Sequence, residues 1–227
     1  MFIFTISNTI VQYCSNGCVM RILLLNVDAL VAAVVLGVLL YAIAGLNALL
    51  LMLVFLVAGV FVTKYDYQTK KELGIYEHER GWKNVLSNGI VPLVAVFLSP
   101  TIGMGAYVGA VAGIMSDKFG SELGVLSQAE PVSLATLKPA KKGTSGAVSA
   151  FGLLMCFDGA LLIGLVASYL YGLPIAQLLP ITIIGFTGSF ADSVAGILEE
   201  QGIGTKETSN LVCAVVGAVL GWLFIKI

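Results

Sequence analysis

The sequence predicts an all-α integral membrane protein, a bundle of about seven transmembrane helices with the third kinked or broken. Three observations predict it. The 227 residues are 58% hydrophobic and only 11% charged, whereas soluble domains carry about 25% charged residues. Mean hydropathy is +0.98, and the apolar residues fall into long uncharged runs of the kind that cross a bilayer. The runs do not alternate polar with apolar residues, as the strands of a transmembrane barrel do. Net charge is -1, so no general attraction to nucleic acid is expected. The partner that composition names is the lipid bilayer.

Residues 1–19 carry no charged side chain. They lack the positive start and clear apolar core of a signal peptide. Met20 and Arg21 read as a second, more natural beginning. The expected division is a non-functional extension over 1–19 and a single transmembrane domain over 20–227. Cys14 and Cys18 sit in the extension with no histidine near them, so they do not read as a zinc site. Cys156 and Cys213 lie in apolar runs and read as small core residues.

The first span covers about 27–44 and the second about 46–63. Gly45, Leu46 and Asn47 form a tight turn between them, which makes a helical hairpin. A charged segment over 64–83 follows, holding Lys64, Lys70, Lys71, Arg80, Lys83 and the only histidine, His78. His78 reads as a solvated loop residue. The third span starts near Asn84 and ends before Pro100. Asn88, Gly89 and Pro92 interrupt it, and a proline removes a helical hydrogen bond. Irregular backbone at membrane depth belongs inside protein or beside a water-filled cavity.

The fourth span, about 102–115, is rich in small residues, among them Gly105, Gly109 and Gly113. They predict close helix packing. The fifth span covers about 146–170 and the sixth about 174–198. A short polar loop over 199–208 leads to the seventh, about 210–225. With Arg21 on the cytoplasmic side, alternation puts the loops 64–83, 116–145 and 199–208 there too. These loops hold ten of the twelve Lys and Arg residues, as the positive-inside rule requires.

The chain is organised around residues 116–149, where acids leave one span and a basic, glycine-containing stretch enters the next. Asp117, Ser121 and Gly124 share one helix face if the fourth helix continues past the membrane, with Glu122 beside it. They read either as a solvated helix end or as a Mg²⁺ site, because Mg²⁺ takes one or two carboxylates plus phosphate oxygens. Gly185, Ser189, Asp192, Gly196 and Glu199 repeat that spacing on the sixth helix, with Ser193 adjacent. A carboxylate near membrane depth is costly and faces a polar cavity or partner, which directs Asp192 toward Asp117; the alternative is an interfacial residue that simply reaches water.

Lys138, Lys141, Lys142, Gly143, Thr144, Ser145 and Gly146 open the fifth helix. A helix amino terminus offers free N–H groups and positive partial charge to phosphate, and Thr144 or Ser145 would cap it. The alternative is a basic loop beside anionic headgroups. No P-loop pattern is present. Arg80, Asn84 and Asn88 enter the third span as candidate nucleotide ligands, although Asn84 also suits a helix cap. Asn210 suits a cap of the seventh span or a phosphate contact. Asp158 stands alone in the middle of the fifth span and reads as a protonated acid, as a hydrogen-bond partner of a neighbouring helix, or as the mark of an ion path.

The motifs RGWKNVLSNG at 80–89, SDKFGSELG at 116–124, KKGTSGAVS at 141–149 and GSFADS at 188–193 together resemble the phytyl-phosphate kinase family. That family includes the eukaryotic transmembrane protein nineteen. The resemblance runs from about Asn26 to the carboxyl end. It implies phosphoryl transfer from a nucleoside triphosphate, CTP in related enzymes, to an isoprenoid monophosphate. Asn84, Asp117, Ser121, Glu122, Gly143, Thr144 and Asp192 match its motif positions. Lys118 with Phe119, Ser145 and Cys213 depart from its pattern, which bears on nucleotide preference.

The expectation is therefore a membrane kinase whose Asp117, Glu122 and Asp192 hold Mg²⁺ at the cytoplasmic face. Arg80, Asn84, Asn88, Ser121, Lys138, Lys141, Lys142, Gly143, Thr144, Ser145, Gly146, Ser189, Ser193 and Asn210 are expected to bind nucleotide or phosphate. Two alternatives stand beside it. A cytidylyltransferase would use the same substrates but attack the α-phosphorus. A small-solute or ion transporter would use Asp158 and the broken third span.

Overall fold

The computed structural model describes residues 24–76 and 81–227. The expectations for residues 1–19, His78 and Arg80 lie outside the described residues. The first long helix, α1, covers Val27–Lys64. Asn26 caps it, accepting from the Ala29 N–H at 2.9 Å. Gly45 breaks it in the middle, with φ 77° and ψ -166°, a conformation open to a residue without Cβ. A Cβ on Gly37 would lie 3.4 Å from Leu49 Cδ1. In one straight helix those positions would be about 18 Å apart. The two limbs therefore fold back on each other as the expected hairpin.

A short helix α2 (Tyr67–Glu72) precedes α3 (Trp82–Ile102). Of the two forms expected for the third span, kinked or broken, the broken one is not found: α3 is one continuous helix with Pro92 and Pro100 inside it. Pro92 removes one N–H, and the side chain of Asn88 donates to the Asn84 carbonyl at 2.8 Å one turn earlier. Losing a single backbone bond within a packed bundle does not unwind the helix.

Helix α4 (Gly105–Gly124) is the axis of the molecule. Every residue from Gly105 to Ser116 is buried. It packs against α5 (Ala150–Tyr171), α6 (Leu178–Glu200) and α7 (Lys206–Phe224), and also touches α1 and α3. Small side chains make this possible. Gly105 and Gly109 press on the backbone of Gly221 and Gly217, and a Cβ on Gly113 would stand 3.1 Å from the Cys213 carbonyl. This is small-xxx-small packing, in which backbones meet with no side chain between them.

Five helices are long and apolar enough to cross a membrane: α1, α3, α5, α7, and α6 with the short 3₁₀ turn before it. With α1 counted as two limbs and α4 enclosed by the others, seven helical segments run side by side among the described residues. A two-stranded ribbon, β1 (Val132–Ser133) with β2 (Ala147–Val148), folds the long connection between α4 and α5.

The connections sort to two ends. At one end, Asn47 donates to the Leu170 carbonyl at 2.8 Å, and Met104 N–H donates to the Ile227 carbonyl at 3.2 Å. At the other, Lys70 meets Glu122, and Ser145 meets Glu199 and Glu200. The three basic loops thus share one end of the bundle.

Candidate functional site

At the basic end, all seven helical segments and the long connection line a cavity of about 490 Å³. Asp117, Ser121 and Glu122 reach it from α4. Ser189, Asp192 and Ser193 reach it from α6, Asn210 and Lys206 from α7, and Asn84 and Asn88 from α3. Lys142, Gly143, Thr144, Ser145 and Gly146 close one side. Leu36, Leu49, Met52, Phe55 and Leu56 of α1 add an apolar part to the lining. Residues scattered over more than 120 positions thus converge on one space. Lys138 and Lys141 do not join them: both are exposed and neither lines the cavity.

The acidic centre lies where α4, α6 and α7 meet. Asp192 is 4% exposed and Asn210 5%. Asp117 and Asp192 line this cavity from α4 and α6. Two carboxylates in one cavity repel unless a cation stands between them or a proton bridges them. Lys206 supplies a cation, with Nζ 3.4 Å from Asp192 Oδ2. Asp192 Oδ1 and Asn210 Oδ1 are buried with no hydrogen-bond partner among the described residues. A buried acceptor without a donor is an energetic debit, and both side chains line the cavity. Oxygen donors left open in this way fit a hard divalent cation such as Mg²⁺.

Glu122 does something else. Its carboxylate accepts from Thr63 Oγ1 at 2.7 Å and from Lys70 Nζ at 3.1 Å, and it pairs with Lys118 one turn back. Glu122 sits on the stretch of α4 beyond the apolar run. Burial alone would raise its pKa. The Lys118 charge, hydrogen bonds from Lys118 and Thr63, and the Lys70 charge outweigh that and hold it at about 2. Among the described residues no three His, Cys, Asp or Glu side chains gather around one point. The expected trio of metal ligands therefore separates into a pair lining one cavity, Asp117 with Asp192, and a glutamate occupied by two lysines.

The expected helix entry is also displaced. Gly143 and Gly146 have φ of 84° and 69°, left-handed values that no helical turn contains. Residues 143–146 are consequently a turn, and α5 begins at Ala150. Its cap is Ser149, which accepts from the Gly152 N–H at 3.0 Å, rather than Thr144 or Ser145. Ser145 is tied to α6 instead: its N–H donates to Glu200 and its hydroxyl to Glu199, both at 3.0 Å. Gly146 lies so close to Gly196 that neither could carry a Cβ without displacing backbone. Lys142 donates to the Ser127 carbonyl at 2.6 Å, which braces the connection internally.

The serines have mostly local partners. Ser121 donates to the Lys118 carbonyl, Ser193 to the Ser189 carbonyl, and Ser189 to Cys156 Sγ. Sequence reasoning missed Lys206, Lys118 and Lys70 as site residues. Lys206 counted only as a topology charge in a polar loop. Lys118 stood out only as a departure from a motif, and Lys70 only as one base among several. Asp158 is partly buried, lies outside the cavity and makes no hydrogen bond or ion pair among the described residues.

An enclosed axial helix, and two carboxylates from different helices lining one cavity with apolar side chains of α1, define a polytopic membrane protein with an amphipathic cavity at one end. The chain belongs to the family described as integral membrane protein DUF92, which matches residues 13–221. It is 36% identical over 206 residues to an uncharacterized membrane protein of Methanocaldococcus jannaschii, covering 88% of this chain and 85% of that protein. It is 31% identical over 185 residues to Protein PGR of Arabidopsis thaliana, covering 67% of this chain and 64% of that protein. An uncharacterized membrane protein of a Synechocystis strain is 27% identical over 172 residues, covering 71% and 67%. No solved structure matches.

Proposed function

We propose that this protein is a membrane kinase that transfers the γ-phosphoryl group of a nucleoside triphosphate to an isoprenoid monophosphate. The observation that carries the reading is the mixed lining of the cavity. Asp117, Asp192, Lys206 and the glycine turn beside Lys142 supply its polar part, and leucine, methionine and phenylalanine of α1 its apolar part. A substrate with a phosphate head and a hydrocarbon tail satisfies both kinds of lining at once. The four ordered motifs supply the donor, with CTP as the nucleotide that the resemblance favours.

In this reading a phosphate oxygen of the acceptor attacks the γ-phosphorus. An oxygen–phosphorus bond forms, the bond from the γ-phosphorus to the β,γ-bridging oxygen breaks, and CDP leaves with that electron pair. The acceptor is already an anion, so no strong general base is required. Phosphoryl transfer is then a matter of positioning and charge neutralisation. Lys142 and Lys206 offset phosphate charge, and Asn84 and Asn88 face the nucleotide side. Asp117 and Asp192 would hold Mg²⁺, which when bound neutralises triphosphate charge. By the positive-inside rule the basic end faces the cytoplasm.

The test is purified protein with labelled nucleoside triphosphates and a panel of prenyl monophosphates, with products identified. CDP plus prenyl diphosphate is expected. Diphosphate plus a CDP-lipid would make the protein a cytidylyltransferase. No nucleotide-dependent product, together with solute flux in proteoliposomes lacking nucleotide, would make it a transporter.

A further inference from the structure

We propose that Asn210 is the third protein ligand of a divalent-cation site built on Asp117 and Asp192, and that Lys206 is the internal cation that fills this site until the metal arrives. The inference deepens the kinase reading but does not depend on nucleotide or lipid.

Charge and satisfaction argue for it together. Asp117 and Asp192 line one cavity from two helices. One lysine stands at this centre: Lys206 pairs with Asp192 at 3.4 Å and lines the same cavity as Asp117. One positive charge against two carboxylates leaves an excess of negative charge in a poorly hydrated place, which is costly. The same cavity carries two oxygen acceptors with no hydrogen-bond partner among the described residues, Asp192 Oδ1 and Asn210 Oδ1. Both side chains are at least nine-tenths buried and line the cavity. A divalent ion would answer both deficits, since it brings the missing charge and coordinates oxygen.

Lys206 is suited to leave. Its side chain is 45% exposed, whereas that of Asp192 is 6% exposed. It occupies the first position of α7, after the exposed 201–205 turn. Its long stem permits the ammonium to move from the carboxylates toward an incoming phosphate without moving the helix. Glu122 takes no part, because Lys70, Lys118 and Thr63 hold its oxygens.

Mn²⁺ alone, added to purified full-length protein in detergent and followed by the loss of its free EPR signal, tests this. One Mn²⁺ per chain is expected. Lys206→Met removes the competing charge and should tighten Mn²⁺ binding about tenfold. Asn210→Ala should weaken it by about tenfold, the lower end of what a lost metal-supporting group costs. Asn210→Asp, of nearly the same shape, should tighten it. Melting curves show which variants fold. Should Lys206→Met not fold, the two Asn210 variants carry the test with Lys206 in place. Unchanged or weaker Mn²⁺ binding in a folded Lys206→Met, or wild-type binding in a folded Asn210→Ala, overturns the proposal. Failure of the kinase assay leaves these outcomes intact, because no nucleotide or prenyl phosphate is present.

Discussion

Lys70 Nζ lies 3.1 Å from Glu122 Oε2 and 2.6 Å from the Val62 carbonyl, at a side chain only 1% exposed. One ammonium thus pairs with α4 and satisfies the carbonyl end of α1, where a positive charge is favoured. Lys70→Met should lower the stability of the purified protein by about 2 kcal/mol, since a buried pair is broken while Lys118 still faces Glu122. Glu122→Gln should cost more, because it strips a buried lysine of its counter-charge. The Glu122 carboxyl is held down to about 2 from its ordinary 4.5. A lowered carboxylate stabilises fully above the ordinary value and loses that contribution as pH falls through the lowered one. The melting difference between wild type and Glu122→Gln should therefore be greatest above pH 4.5 and shrink toward pH 2. A pH-independent difference would mean that the carboxylate charge is not what stabilises the protein.

The two neighbouring lysines of the long connection should behave differently. Lys142 lines the cavity and donates to Ser127, whereas Lys141 is exposed and lines nothing. Lys142→Ala should lower turnover or nucleotide affinity by about tenfold, equivalent to about 1.4 kcal/mol. Lys141→Ala should leave both near wild type. Equal losses in the two variants would point to a general attraction between the basic connection and anionic lipid.

The seam between α4 and α7 makes a graded prediction. A Cβ on Gly109 would strike the Gly217 carbonyl, and one on Gly217 would strike the Gly109 carbonyl, so backbone has to move. Gly109→Ala and Gly217→Ala should each destabilise by about 1–3 kcal/mol or more, the range for overpacking. Gly113→Ala, at 3.1 Å from the Cys213 carbonyl, should cost less, and Gly37→Ala, at 3.4 Å from a flexible leucine, should be nearly silent. Thermal unfolding of all four in one detergent checks the order.

What the sequence revealed of this site follows from cost. Asp117 and Asp192 stood out because a carboxylate beside an apolar run has to be answered by a cavity or partner, and the structure brings them together. The hairpin at Gly45 and the shared end of the basic loops were legible for similar reasons, one from turn chemistry and one from charge. The helix entry was not. KKGTSG contains every residue type that suits a helix start, and only the left-handed backbone at Gly143 and Gly146 shows that it is a turn. Pro92 looked disruptive because local rules do not register the bundle around it. Lys206 and Lys70 were hidden because pairing partners 14 and 52 positions away leave no local pattern.

Asp117 and Asp192 belong to different helices yet serve one cavity, and Asp158 lies outside it. Replacing each by asparagine keeps size and removes charge. In the kinase reading, Asp117→Asn and Asp192→Asn should each cost well over tenfold in turnover, more than about 1.4 kcal/mol of barrier. Added Mg²⁺ should restore part of the activity where the loss is in metal affinity. Asp158→Asn should cost far less, because that side chain makes no ion pair or hydrogen bond among the described residues and does not reach the cavity. A transporter using a mid-membrane acid predicts the reverse order. All three variants are compared in one assay, with expression and melting matched. An inactive Asp158→Asn beside a fully active Asp117→Asn would remove the kinase reading and place the chemistry in the middle of α5.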